Sequence, residues 1–384
     1  MKKANVLVVG AGMYVCGRGT TGVGTVLPAL FKANANQLID EIYVAAHSVN
    51  GVEIVKTKAK EANALMGTTV SVTIFPGLDE AIDKISHPRC AIIATPDDTH
   101  TEIAKKLMKE GFHLLVVKPL APTVLEVEQL IEAQVRYDVY GMVEFHKRFD
   151  RANLKLKEAI VEGRIGDPLY FIVEYSQRKI IPTKIFKNWV EKTNVFQYLG
   201  IHYVDIIYFC TKAKPIRVMA TGQNGFLKDQ KISAFDSVQC SIEWMGENGK
   251  SFFSYHHTNW IDPESTTAMS DQRIKVIGTK GRVESDQKYR GLMMVNDGAQ
   301  VEEPNPDFCQ FYLKEDGKKE IQGYGVDSIH TFLKDFGEII NNKRTWKDFE
   351  GVRPTFSDSL IPTRIIEAAN RSLKQNFDWI KIEL

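Results

Sequence analysis

No apolar run in this chain reaches the roughly 18 residues that a membrane-crossing helix needs, so no span and no membrane partner are expected. Cysteine is scarce, five in 384 residues. Cys16, Cys90, Cys210, Cys240 and Cys309 are scattered, odd in number and never spaced as CxxC. That fits free thiols in a reducing, cytoplasmic setting and argues against a disulfide framework or a zinc site. Charge of one sign is lacking too. Lys and Arg total 49 against 48 Asp and Glu, a net charge of +1, so no surface dedicated to nucleic acid is expected. His256 and His257 are adjacent on an expected strand, point to opposite faces and cannot share a metal. No other ligand set is visible, so no metal is expected. The opening residues faintly mimic a secretion signal. Their apolar run is short, however, and ends in Gly10-Ala11-Gly12 without a cleavage pattern, so they read as a first β-strand.

What is present is ordinary for a globular protein: 43% apolar and 25% charged residues. The length implies two domains. Over the first half, strand and helix patterns alternate. Val6–Val9 leads into a glycine-rich turn and a helix expected to begin only near Gly22 or Gly24. Strands at Glu41–Ala46, Val70–Ile74, Cys90–Thr95, Leu114–Lys118 and Val139–Glu144 are separated by helices. This alternation predicts a right-handed, doubly wound parallel sheet, a Rossmann domain over residues 1–145.

In such a sheet ligands bind at the carboxyl ends of the strands. Gly10-x-Gly12, with Met13 after it, is half of a dinucleotide fingerprint, since glycine lets backbone amides approach a pyrophosphate. The third glycine would fall at Val15, and several extra residues follow. The second strand ends at His47-Ser48, where an acid would hold the ribose hydroxyls of NAD. Its absence leaves NAD or NADP open and leans slightly toward NADP. Thr95-Pro96 and Lys118-Pro119 both close strands and flank the expected nicotinamide position. Proline cannot continue a ladder and holds the residue before it extended, so the ammonium of Lys118 is left at the sheet edge.

From residue 146 the pattern changes to a helix (Ala152–Glu162), the strand Leu169–Gln177 and a polar, aromatic loop (Lys179–Lys192). On the next helix Tyr198, His202, Asp205 and Phe209 share a face at 3.6-residue periodicity. A histidine stacked with a tyrosine and an aspartate is a candidate proton-transfer group. Hairpin-linked segments follow, including Leu292–Asn296, and predict a large, mostly antiparallel open sheet flanked by helices over 146–384. The C-terminal helix is allowed to pack back toward the first domain. Polar or aromatic side chains suited to a polyhydroxylated substrate are Glu144, His146, Lys147, Arg178, Trp189, Lys192, Asn194 and Gln197.

Gly10-x-Gly12, Ala94-Thr95-Pro96-x-x-x-His100, Val117-Lys118-Pro119-Leu120-Ala121, His146-Lys147-Arg148-Phe149, Gly200-Ile201-His202-x-x-Asp205 and Gly278-Thr279-Lys280-Gly281 together resemble the glucose–fructose oxidoreductase / inositol dehydrogenase / rhizopine-catabolism (Gfo/Idh/MocA) family. The resemblance covers nearly the whole chain. It implies NAD(P)-dependent hydride transfer at a hydroxyl or ketone carbon of a sugar, cyclitol or derivative. Lys118 and His202 would be the catalytic pair, with Thr95, Pro96, His100, Lys118 and Pro119 around the cofactor. Homo-oligomers, dimers or tetramers, would form through the second domain's sheet. Two alternatives stay open: a non-catalytic NAD(P)-binding regulator on the same fold, and a dihydrodiol or imine-type reductase. The chain departs from the family pattern at Val117 and Tyr198, where acids are usual. It departs also at Lys192-Thr193-Asn194, where a glycine-rich turn is usual, and in the long loop after Gly12. Tyr198 is the residue placed to take over the missing aspartate's role.

Overall fold

The computed structural model describes residues 2–298 and 301–384 and divides the chain into two compact units. One comprises Met1–His146 with Asp307–Ser359, the other Lys147–Pro306 with Leu360–Leu384.

In chain order the first stretch contains β1 (Ala4–Val9), α1 (Met13–Cys16), α2 (Val26–Ala35), β2 (Ile39–Ala45), α3 (Val49–Met66), β3 (Val72–Phe75), α4 (Leu78–Lys84), β4 (Arg89–Ile93), α5 (His100–Lys109), β5 (His113–Val117), α6 (Val124–Tyr137) and β6 (Gly141–Glu144). The middle holds α7 (Arg151–Val161), β7 (Pro168–Arg178), α8 (Ile201–Thr211), β8 (Lys214–Gln223), α9 (Phe226–Asp229), β9 (Ser237–Met245), β10 (Ser251–Asp262), β11 (Ser270–Gly278) and β12 (Arg282–Asp286). The hairpin β13 (Gln310–Leu313) and β14 (Lys319–Gln322) and the helix α10 (Tyr324–Ile340) belong to the first unit; α11 (Leu360–Lys374) and β15 (Ile380–Lys381) belong to the second.

The first sheet runs β3-β2-β1-β4-β5-β6, every pair parallel. Its central strands are buried on both faces, which explains their continuous apolar sequences. The order reverses between β1 and β4, and the carboxyl ends there form the crevice in which this fold takes ligands. Local chemistry agrees with the topology. Thr123 and Glu126 cap α6 reciprocally, and Asp138 ends it in the left-handed conformation. The helix α10 buries Ile329, Phe332, Leu333 and Phe336. It is pinned by Asp335, which accepts bonds from the Tyr140 hydroxyl (3.1 Å) and from Nε and Nη2 of Arg353 (2.7 and 3.1 Å).

In the second unit the order is β12-β11-β7-β10-β9-β8-β15, antiparallel except for the parallel β7–β10 pair. The helices α7, α8 and α11 pack together, with α11 against β8. Along β10 Phe252, Ser254, His256, Thr258 and Trp260 are buried, while Tyr255 and His257 alternate outward. The opposite orientation of the two histidines follows from this period of two.

The helix expected to begin near Gly24 is α2, from Val26; a four-residue turn, α1, precedes it at Met13. One local expectation fails: Leu292–Asn296 is no strand but a single bridge, Met294 to Glu302, with Met293 and Val295 exposed. An apolar alternation becomes a strand only when a neighbouring strand accepts its hydrogen bonds.

Asp335→Ala would strand the Arg353 guanidinium and the buried Tyr140 hydroxyl. A loss of about 2–4 kcal/mol is expected in denaturant unfolding.

Candidate active site

At the carboxyl end of β1, Gly10 has φ +123°, and a Cβ there would lie 2.3 Å from the Ala94 carbonyl oxygen. Only glycine lets the first and fourth strands close to that distance. Gly12 differs: its φ is −86°, and a Cβ would meet nothing within 4 Å. Nothing among the described residues demands glycine at 12. It caps α1 with no side-chain bond, beside open space into which a diphosphate can approach. The residues present therefore fit a dinucleotide.

The long loop is an excursion that closes on itself. A Cβ on Gly24 would lie 2.7 Å from the Gly17 nitrogen, and Thr25 N–H donates to the Tyr14 carbonyl at 2.8 Å. The chain leaves after one helical turn, at Gly17, and rejoins at α2, so the insertion does not displace the turn after β1. Of the two residues closing β2, Ser48 caps α3 by accepting the Gly51 N–H (3.0 Å), and His47 is exposed.

Further along the same edge, His100 ties two strand ends together. Its Nδ1 lies 2.9 Å from the Pro119 carbonyl and its Nε2 2.9 Å from the Thr95 carbonyl. Thr99 bonds the Thr95 hydroxyl (2.7 Å). His100 is thus a brace beneath Thr95-Pro96 and Lys118-Pro119, and its burial lowers its pKa.

Lys118 stands one residue beyond β5, joined to Pro119 by a cis peptide. Burial pushes its ammonium down from the ordinary lysine range to about 7, while the negative charges of Asp97 and Glu144 act the other way. Glu144 closes β6, registered against Val117, and is buried. Its Oε2 receives His146 Nδ1 at 2.8 Å. The His146 ring lies between Tyr14 (6.2 Å), Tyr324 (5.7 Å) and Phe308 (5.3 Å). The Tyr14 phenol is raised well above its usual range by burial and by Glu144. Tyr14 and Asp97 escaped the sequence reading; the only signal was their place at the carboxyl ends of β1 and β4.

In the second unit, Phe196–Gly200 forms a π-turn that runs into α8. The wider turn changes the phase that 3.6 periodicity predicted. Tyr198 packs with Phe186 (4.8 Å), Trp189 (6.1 Å) and Trp260 (6.4 Å). His202, buried, meets Tyr175 (6.2 Å). Asp205 is held by Arg148, with Nε to Oδ2 2.9 Å and Nη2 to Oδ1 2.6 Å, both side chains buried. Tyr175 thus meets the His202 ring and feels the Tyr198 phenol, while Asp205, a turn further along the helix, is engaged by Arg148. Lys147 is also internal: its Nζ bonds Gln272 and Gln287 and lies over the Tyr203 and Tyr175 rings (5.0 and 5.2 Å).

The remaining candidates differ in what they have left to offer. Arg178 bonds Thr266 through Nε (3.0 Å) and Nη2. Asn194 caps the π-turn through Oδ1, which accepts from the nitrogens of Phe196 and Gln197, and its Nδ2 bonds Asn370. Its carbonyl and amide are thus engaged in holding the turn that precedes His202. Trp189 is half-buried, tilted on Phe186 at 4.3 Å.

A glycine turn at the switch point of a 3-2-1-4-5-6 sheet, followed by a unit built on an open sheet, defines a dinucleotide-binding protein with a separate second domain. Comparison with known proteins agrees and narrows the class. Residues 4–145 match the oxidoreductase family with an NAD-binding Rossmann fold, and residues 153–284 match the GFO/IDH/MocA C-terminal domain. The chain belongs to the Gfo/Idh/MocA family of oxidoreductases.

It is 26% identical over 208 residues to myo-inositol 2-dehydrogenase of Thermotoga maritima, covering 54% of this chain and 59% of that protein. It is 24% identical over 247 residues to inositol 2-dehydrogenase of Rhizobium meliloti, covering 64% and 72%. The structure of scyllo-inositol dehydrogenase from Lactobacillus casei, with NAD(H) and scyllo-inositol, superposes with a TM-score of 0.67 at 16% identity, covering 99% of both chains. At that identity the likeness is one of fold.

The two glycines separate folding from binding. Gly12→Ala should leave the thermal midpoint in place while weakening NAD(H) affinity about tenfold or more in a fluorescence titration. Gly10→Ala should destabilise the protein itself by more than about 2 kcal/mol.

Proposed function

We propose that the chain transfers hydride between a nicotinamide dinucleotide and a hydroxyl or ketone carbon of a sugar, cyclitol or sugar derivative. The observation that carries this reading is Lys118, an amine at the ligand-binding edge of the first sheet with a pKa of about 7. A side chain balanced between its two protonation states at working pH is suited to acid–base catalysis. The cyclitol substrates named for the relatives support the substrate class.

Residues Gly10, Gly12 and Met13 would receive the diphosphate, His47 and Ser48 the adenosine ribose, and Thr95, Pro96 and Pro119, braced by His100, the nicotinamide end. Bound there, the cofactor supplies the hydride acceptor or donor. Lys118 takes the proton from the reacting hydroxyl in oxidation and returns it in reduction. His202 is the second proton-transfer group, a role histidine side chains commonly take. Tyr198 keeps the part of a phenolic donor beside Trp189, whose half-exposed indole offers an apolar face to a sugar ring's C–H surface. Glu144 and His146 complete the polar set for substrate, with Arg178 and Asn194 holding the loops around it. The division of labour is that of the family: the first unit binds cofactor, and the second supplies substrate contacts and, on its outward sheet face, contact with further copies. Five free thiols suit a reducing cytoplasm.

Lys118→Ala and His202→Ala should each lower kcat about 10²–10⁴-fold with cofactor affinity little changed. A pH series tests the lysine. In oxidation it must be neutral, so kcat/KM should rise about tenfold per unit below about 7 and level off above it. Normal turnover in both variants would overturn the assignment.

Because no acid closes β2 to repel a 2′-phosphate, NADP should be accepted alongside NAD, with a slight preference for NADP. His47→Asp should shift the ratio of kcat/KM values toward NAD by about tenfold.

A further inference from the structure

The parallel sheet of the first unit has a second edge, at the amino ends of its strands. A cleft of about 500 Å³ lies there, a size that holds a small organic ligand. Lys2 precedes β1, Arg89 opens β4 and His113 opens β5, and all three line the cleft. Pro88, together with Phe336 and Ile340 of α10, gives it an apolar wall. Every one of these residues belongs to the first unit.

Helix ends gather at this edge, and their free carbonyls would repel an anion. Here side chains of the chain itself answer them. Arg89 Nη1 donates to the carbonyls of Ile82 (3.0 Å) and Ile85 (2.9 Å) at the end of α4, and Nη2 donates to that of Glu110 at the end of α5. Asn341, just past α10, donates through Nδ2 to the Gly337 carbonyl at 2.8 Å. Asn341 also accepts the Lys2 N–H at 3.1 Å and donates to the Lys2 carbonyl at 3.2 Å, which fixes the backbone that carries the lysine.

Donors are what remain. The Arg89 guanidinium lies over the Phe112 ring at 4.3 Å, and its buried Nε has no acceptor among the described residues. His113 Nδ1 accepts the Tyr140 N–H at 3.0 Å, so the proton of the neutral ring sits on Nε2, on the side away from Tyr140. Burial keeps that ring neutral, pushing its pKa down to about 4, and Phe336 is tilted on it at 4.6 Å. His87, also in the lining, is lowered by burial first and by the Arg89 charge second, so it adds no charge. The exposed Lys2 ammonium joins no ion pair among the described residues. Two carboxylates stand nearby, but neither lines the cleft. Glu110 Oε2 is 4.0 Å from Arg89 Nη2, and Asp138, which His113 senses, accepts from Trp346 Nε1 at 2.6 Å.

We propose that this cleft binds a small organic monoanion, a carboxylate with an apolar body. The acid group is met by Lys2, Arg89 and the Nε2–H of His113, and the body lies against Pro88, Phe336 and Ile340. Lining groups that are donors call for a ligand that brings acceptors, and a charged acceptor is held best. The apolar wall favours a carbon skeleton over a bare ion. Because the dinucleotide fits the opposite edge of the sheet, ligand and cofactor are held at once.

The test titrates the full chain, saturated with NAD(H), by calorimetry, so that no anion is counted at the dinucleotide site. Benzoate is expected to bind with a Kd of about 1 mM, and benzamide, its neutral counterpart, about tenfold more weakly. Lys2→Glu changes only an exposed side chain and should weaken benzoate about fivefold. Ile340→Trp, which fills the cleft, should abolish binding. No heat up to about 20 mM benzoate overturns the proposal. So does equal affinity for benzamide, or a benzoate affinity unchanged in Lys2→Glu and Ile340→Trp, which would place the ligand elsewhere. Displacement of benzoate by an equal concentration of inorganic phosphate overturns the assigned ligand class, since a bare ion would then suffice.

Discussion

The constraint on which the site depends is the cost of placing an amine where water is scarce. A lysine within the carboxyl edge of a parallel sheet loses hydration that its charged form needs. Two carboxylates on separate elements, Asp97 after β4 and Glu144 at the end of β6, oppose the desolvation and leave the midpoint at about 7. Much of the surrounding structure serves that balance. His100 braces the two loops that set the edge, and the aromatic enclosure of His146 fixes one of the two acids.

Buried charge elsewhere is treated differently. Arg148 and Asp205 are bidentate, enclosed and close; Arg353 and Asp335 are bidentate too, with the arginine partly exposed. Such pairs hold elements in place and offer nothing to a ligand. The contrast divides residues that stand together in one motif. His146-Lys147-Arg148-Phe149 reads as one functional string, yet Lys147 is bonded to Gln272 and Gln287 and Arg148 to Asp205, and only His146 lies beside Glu144.

The insertion after Gly12 shows how a fold tolerates added chain. Gly17 and Gly24 pass at the neck of the loop so closely that neither accepts a side chain, and α1 and α2 join across it. The turn that meets the cofactor is undisturbed, because loop ends brought together add little beyond the entropy of closure. In the second unit the π-turn at Phe196–Gly200 has the opposite character. It carries Tyr198 into an aromatic cluster with Phe186, Trp189 and Trp260 and leads into the helix on which His202 meets Tyr175.

The sequence by itself determined the alternation of strand and helix, the parallel sheet, the glycine turn at its switch point and the placing of Lys118 at a strand's end. These follow from local rules: apolar runs bury on both faces, glycine permits close approach, and proline stops a ladder. Family membership was legible in the same way, from motifs whose order and spacing survive at low identity. Only the tertiary structure decided which polar residues are spent on each other. That Asp205 belongs to Arg148, that Lys147 is bonded to Gln272 and Gln287 and that Asn194 reaches Asn370 are facts about residues distant in sequence. No periodicity encodes them, because a side chain's partner is fixed by register and packing, which exist only once the chain has folded.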